Sequence, residues 1–180
     1  MKLETYMEKL KSGDMEALDF VYEATSKSVY FLAYGILRNK ERAEDVMQET
    51  YVRVVQGAAG YKNKLKASAW ILRIARNLCY SEYMKSKRNL CLEQLELEPQ
   101  DAVNEEDDWI INMDLRGAMS CLKPTEREIV SLFALKEYKH REIAKIVGRP
   151  TGSVQWAYNN AIKKMRKFLQ GGKSNESKGN

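Results

Sequence analysis

The chain has 180 residues, 44% of them hydrophobic, which suffices for the packed core of one ordinary domain or of two small ones. Charged residues make up 31% and leave a net charge of +5, so clustering of Lys and Arg on one face, not the total, is what would point to nucleic acid. There is one histidine, no CxxC spacing, no G-x-x-x-x-G-K and no G-x-S-x-G, a pattern that argues against a metal centre, a cofactor or an enzyme.

From the N-terminus, "MKLETYMEKLKSGD" lacks the apolar run of a signal peptide, and no stretch approaches membrane-spanning length. A soluble, cytoplasmic protein without membrane insertion is expected. Cys79, Cys91 and Cys121 then read as reduced, buried thiols. Next, "GDMEALDFVYEATSKSVYFLAYGILRNK" places Leu18, Val21, Tyr22, Val29, Leu32, Ala33 and Ile36 at helical spacings, with Asp14 as N-cap. Asn39 caps a second helix running to about Gln56. "GAAGYKNKLKAS" breaks the pattern, and a third helix spans about Ser68 to Arg88.

Asn89 to Asp108 carries eight acids, no Lys or Arg, and Pro99, and so reads as a linker. As a flexible coil it would span about 25 Å. Helices resume from Trp109. Thr125 and Glu128 form a T-x-x-E capping box behind Pro124, and Gly148 suits a helix stop. The small polar tail after Gln170 is expected to be disordered. With no internal repeat and no strand pattern, the fold class is all-α. Two small helical domains, 1–88 and 109–170, flank an acidic linker at 89–108 and precede a tail at 171–180.

Three surfaces stand out. In the second helix Ala43, Met47, Thr50, Tyr51 and Val54 form one stripe, and Asp45, Gln48, Glu49 and Gln56 face the other way around Val52. A solvated acidic face with a stray valine is the plainer reading. An apolar centre ringed by polar groups is also how a protein-binding patch is built. In the third helix Ile71, Ile74, Ala75 and Leu78 form the apolar stripe, while Arg73, Arg76, Tyr80 and Tyr83 project opposite with Asn77 alongside. Basic and aromatic side chains interleaved on one face suit a strand-tracking, base-stacking surface, to which Tyr61, Lys62, Asn63, Lys64 and Lys66 add a basic loop.

The third surface lies in "HREIAKIVGRPTGSVQWAYNNAIKKM", which reads as a helix-turn-helix. Val154, Tyr158, Ala161, Met165 and Phe168 set the buried side of its second helix. Gln155, Trp156, Asn159, Asn160 and Lys163 then turn outward. A helical hairpin with a polar exterior would leave an outward Trp156 unexplained. His140, the lone histidine, reads as structural.

With these residues assembled, the chain resembles an extracytoplasmic-function (ECF) sigma factor of bacterial RNA polymerase. "AEDVMQETYVRV" is similar to that family's region 2.2, "AWILRIARN" to its region 2.4, and "LKPTEREIVSLFALKEYKHREIAKIVGRPTGSVQWAYNNAIKKM" to its region 4. The resemblance implies an alternative sigma factor that binds core RNA polymerase and directs promoter recognition and transcription initiation. It implies polymerase binding by Asp45, Gln48, Glu49 and Val52. For minus-ten DNA it implies Tyr61, Lys62, Asn63, Lys64, Arg73, Arg76, Asn77 and Tyr80. For minus-thirty-five DNA it implies Arg141, Thr151, Ser153, Gln155, Trp156, Asn159 and Lys163. The linker would thread toward the polymerase cleft, and an anti-sigma factor is a further partner the family brings.

The chain departs from the family where Gln155, Ala157 and Asn160 stand in place of common Lys or Arg. Lys139 replaces a small hydroxyl cap, and Ala67 an aromatic. Two alternatives remain open on the residues: a helix-turn-helix DNA-binding regulator that does not displace a sigma subunit, and a sigma-like interaction protein without initiation activity.

Overall fold

The computed structural model describes residues 2–62, 66–93, 113–135 and 138–176. Every regular element among these residues is a helix, with no strand among them, as the patterning predicts. They fall in two compact units, residues 1–101 and 102–180, each with its own core.

The first unit packs four helices: α1 (Leu3–Lys11), α2 (Ala17–Leu37), α3 (Lys40–Gly57) and α4 (Ala67–Glu93). The patterning assigns no helix at α1, yet its Met7 and Leu10 are buried. Asp14 does not occupy the N-cap position of α2, which falls at Glu16; its carboxylate instead takes the Glu16 amide at 3.1 Å, in the turn just before the helix. The joint between α2 and α3 is two residues long. Arg38 closes α2 in the left-handed conformation, at φ 54°, and Asn39 opens α3 by accepting the Arg42 amide at 2.8 Å. Between α3 and α4 a 3-10 turn, Ala58–Gly60, delivers Tyr61 into the core.

The second unit holds α5 (Met113–Ser120), α6 (Pro124–Ala134), α7 (His140–Val147) and α8 (Thr151–Glu176). Ala118, Met119 and Leu122 bury against Ala161 and Met165 of α8. Gly117 lets α5 approach α8 closely: a Cβ there would stand 2.9 Å from the Phe168 ring, which would have to shift. Gly148 ends α7 in the left-handed conformation, as its position predicts.

Several expectations need correction. At α6 the N-cap is Lys123 and the capping carboxylate is Glu126, half a capping box, rather than Thr125 with Glu128: Pro124 takes the first helical position, so Glu126 is the residue whose carboxylate reaches the Lys123 amide, at 2.9 Å. Glu128 is buried instead. Asn89–Glu93, assigned to the linker, are helical as the end of α4, and the rest of that segment with Trp109 lies outside the described residues. The helix α8 continues to Glu176, into the segment assigned to the tail, and residues 177–180 lie outside the described residues. Cys79 is buried, but Cys121 sits in the turn after α5 and is exposed; the side chain of Cys91 lies outside the described set. Phe168 remains 45% exposed although its ring covers Gly117.

Candidate nucleic-acid interface

The outward face of α3 is built from its helical period. Ala43, Val46, Thr50, Tyr51 and Val54 point into the core, which leaves Asp45, Gln48 and Val52 exposed and Glu49 half-buried. Glu49 holds Arg53 one turn on at 2.6 Å. Beside Val52 a shallow cleft of about 370 Å³ is lined by Leu18 of α2 and by Gln48, Tyr51, Val52, Val55 and Gln56. The patch anticipated around Val52 is thus wider and more apolar than one valine, and Tyr51 forms its floor.

The outward face of α4 carries Arg73 and Asn77 exposed, with Arg76 and Tyr80 half-buried. Arg76 does not extend freely. Its guanidinium lies over the Tyr80 ring, 4.7 Å from its centre, a cation–π contact that holds the two side chains together. At 3.4 Å the guanidinium also donates to Asn77 Oδ1. At the other end of the face, Arg42 of α3 donates to the Ser86 hydroxyl and ties the two helices together. Lys62 and Lys66 are exposed at the loop, and Asn63 and Lys64 lie outside the described residues.

Tyr61 needs correction. It is 2% exposed, its ring 5.2 Å from that of Trp70, and burial pushes its hydroxyl pKa up, with Glu4 and Glu8 of α1 adding to the rise. A side chain so enclosed anchors the loop and cannot stack on a base. Its burial depends on α1, and that contact leaves no trace in the local sequence.

In the second unit, Gln155, Asn159 and Lys163 are exposed at steps of one turn along α8, and Trp156 beside them is 71% exposed. Arg141 of α7 and Ser153 are also exposed, and Thr151 is half-buried. The opposite side of α8 buries Val154, Ala161 and Met165, and Ala157, also buried, lies at its edge. Tyr158 packs on Phe133 at 4.1 Å, and the His140 ring meets Phe133 edge-on at 4.4 Å, a packing role. Lys139 has no acceptor with which to cap α7, and Glu142 supplies half a capping box by taking the Lys139 amide at 2.9 Å.

Trp156 borders a cleft of about 580 Å³, whose cationic rim (Lys123, Arg149, Lys164) had not been anticipated. Asn160, expected to face outward freely, is half-buried there, its Nδ2 donating to Glu126 Oε1 at 2.9 Å. Lys164 straddles both Glu126 oxygens at 2.7 and 2.9 Å and so is not a free cation for phosphates. Burial pushes the Glu126 carboxyl up, but hydrogen bonds from Lys164, the Lys123 amide and Asn160, with the Lys164 charge, outweigh it and hold the pKa below the usual carboxylate range. This cluster joins positions 34 and 38 residues apart, so no helical spacing could reveal it.

Among the described residues no group of His, Cys, Asp and Glu could hold a metal, and no helix is long and apolar enough to cross a membrane.

Both helical units match known proteins. Residues 21–89 match sigma-70 region 2, and residues 112–165 match sigma-70 region 4. ECF RNA polymerase sigma factor SigW of Bacillus subtilis is 26% identical over 184 aligned positions, covering 94% of this chain and 98% of SigW. ECF RNA polymerase sigma factor BldN of Streptomyces coelicolor is 27% identical over 173 positions; 91% of this chain is covered, but only 64% of BldN. In fold, the chain is similar to the sigma factor RpoE crystallised with the anti-sigma factor NepR from Bartonella quintana. The TM-score is 0.74 at 19% identity, over 83% of this chain and 94% of that one. A second solved structure, CnrH in complex with the cytosolic domain of CnrY, gives a TM-score of 0.70 at 16% identity over 93% and 96%.

Proposed function

The chain belongs to the sigma-70 family, and on that premise we propose that it is an ECF-type alternative sigma factor, which binds core RNA polymerase and directs promoter recognition and transcription initiation. The observation that carries this reading is the order of the two matched regions, each with an exposed face of the chemistry its task requires.

Asp45, Gln48, Glu49 and Val52 dock on the polymerase, the apolar cleft beside Val52 supplying buried area and the acids its polar rim. Arg73, Arg76, Asn77 and Tyr80, with Lys62 and the loop, engage the minus-ten element, where the Arg76–Tyr80 pair sets a cation beside an aromatic ring, the combination that suits a single strand. Arg141, Thr151, Ser153, Gln155, Trp156, Asn159 and Lys163 engage the minus-thirty-five element in the major groove. The protein works in the cytoplasm, where the polymerase is. Solved structures of the relatives RpoE and CnrH contain the anti-sigma factor NepR and the cytosolic domain of CnrY, respectively, and an anti-sigma factor is the partner proposed to hold this chain inactive.

Purified core polymerase with and without the chain, given fragmented genomic DNA, tests this reading. Discrete start sites that need the chain are expected. Polymerase binding without initiation would instead indicate an interaction protein, and DNA binding without polymerase binding a separate regulator.

A further inference from the structure

The cleft beside Trp156 holds a carboxylate where a DNA-facing surface would ordinarily carry only cations. Glu126 is 7% exposed and accepts four hydrogen bonds: the Lys123 amide, Asn160 Nδ2, and Lys164 on both oxygens. A carboxylate above its pKa only accepts, so the Asn160 amide must point its nitrogen at Glu126 and its oxygen away. Lys164, at the same time, cannot leave for a phosphate without stripping a buried carboxylate of its counter-charge.

We propose that Glu126 is a positioning residue for upstream promoter readout, locking the Asn160 carboxamide with its oxygen outward and withdrawing Lys164 from the DNA backbone. The proposal rests on the reading of α8 as the helix that enters the major groove. Asn160 then serves as a fixed acceptor, which fits an amino group on a base edge, adenine N6 or cytosine N4, and discriminates against bases that show only acceptors there. The surface trades one non-specific phosphate contact for one oriented base contact.

The test uses holoenzyme assembled from core polymerase and the full chain, with promoter duplexes selected by the wild type from a randomised upstream region. Glu126→Gln is the informative variant: glutamine keeps the capping bond to the Lys123 amide, but as donor and acceptor it lets Asn160 sit either way round and frees Lys164. Preference at one base pair should fall about tenfold, at the same base pair that Asn160→Ala relaxes. The slope of log affinity against log salt should steepen by about one, while Lys164→Ala in the parent leaves it unchanged. The proposal is overturned if Lys164→Ala flattens the slope, since Lys164 would then be a phosphate contact. It is overturned equally if Glu126→Gln shifts all sequences alike at constant slope, which is what a purely structural role would give. A wild-type holoenzyme that selects no upstream sequence refutes the reading of α8 itself before any variant is compared.

Discussion

The Tyr51 hydroxyl lies 2.8 Å from Thr25 Oγ1, and the threonine proton is already committed to the Val21 carbonyl at 2.6 Å. Tyr51 is therefore the donor, and the bond joins α2 to α3 beneath the apolar cleft at Val52. Burial, aided by Tyr22, pushes the Tyr51 pKa up to about 12. In the unfolded chain the phenol titrates near 10. Between those values the unfolded state loses its proton first, so stability is full below about pH 10 and falls as pH rises toward 12, by about 3 kcal/mol in all. Tyr51→Phe should cost about 1 kcal/mol at neutral pH, and that cost should shrink above pH 10 and reverse near pH 11. Urea unfolding of both proteins across pH 7–12 checks this; a constant gap would mean the phenol is not held protonated.

Tyr61 and Trp70 pack at 5.2 Å under α1, so the loop between α3 and α4 is anchored from inside. Tyr61→Ala should lower the stability of the free first unit by about 3–5 kcal/mol, the range for emptying a buried aromatic site. Tyr61→Phe should fold and initiate nearly as the parent does. An unchanged denaturation midpoint for Tyr61→Ala, alongside a loss of promoter opening, would return Tyr61 to the DNA surface.

How much of this was legible in the sequence depended on whether the causes were local. Asn39 was readable because a cap acts through its own side chain on an amide three residues away, and Gly148 because only a left-handed turn needs it there. Periodicity alone turned Gln155, Trp156 and Asn159 outward. The α6 cap was misread by two residues because a hydroxyl was sought, although Pro124 already marked the first helical position. Tyr61 was misplaced, and the Glu126–Asn160–Lys164 cluster missed, because both arise from packing between distant segments. The α1 helix is short, and Leu3, Met7 and Leu10 stand at helical spacing over too few turns for the period to mark it against its charged neighbours.

Val52 is 48% exposed at the edge of the α3 cleft, and Asp45 lies two turns before it. Neither supports the fold of the free protein. Val52→Asp and Asp45→Arg should each weaken association with core polymerase about tenfold or more, as loss of a central interface contact does, and leave the helical circular-dichroism signal intact. Fluorescence titration against core polymerase decides it. Unaltered affinity in both variants would move the docking surface elsewhere on the first unit.

Gln155 and Asn159 are exposed one turn apart on α8, and Lys163 follows after another turn. Side-chain amides match the donor–acceptor pair that adenine shows in the major groove, whereas a guanidinium matches guanine. An upstream element containing adenine at two neighbouring positions is therefore expected. Trp156, at 71% exposure between them, has the apolar area to cover a thymine methyl or a sugar. Gln155→Ala and Asn159→Ala should each cost about 1–3 kcal/mol on the selected promoter and relax one base pair. Lys163→Ala should weaken binding evenly across sequences and flatten the salt dependence by about one in slope. Selection from a randomised upstream region with each holoenzyme separates these effects. If both amide variants return the parental sequence at parental strength, α8 does not read DNA through amides and Trp156 marks a protein contact.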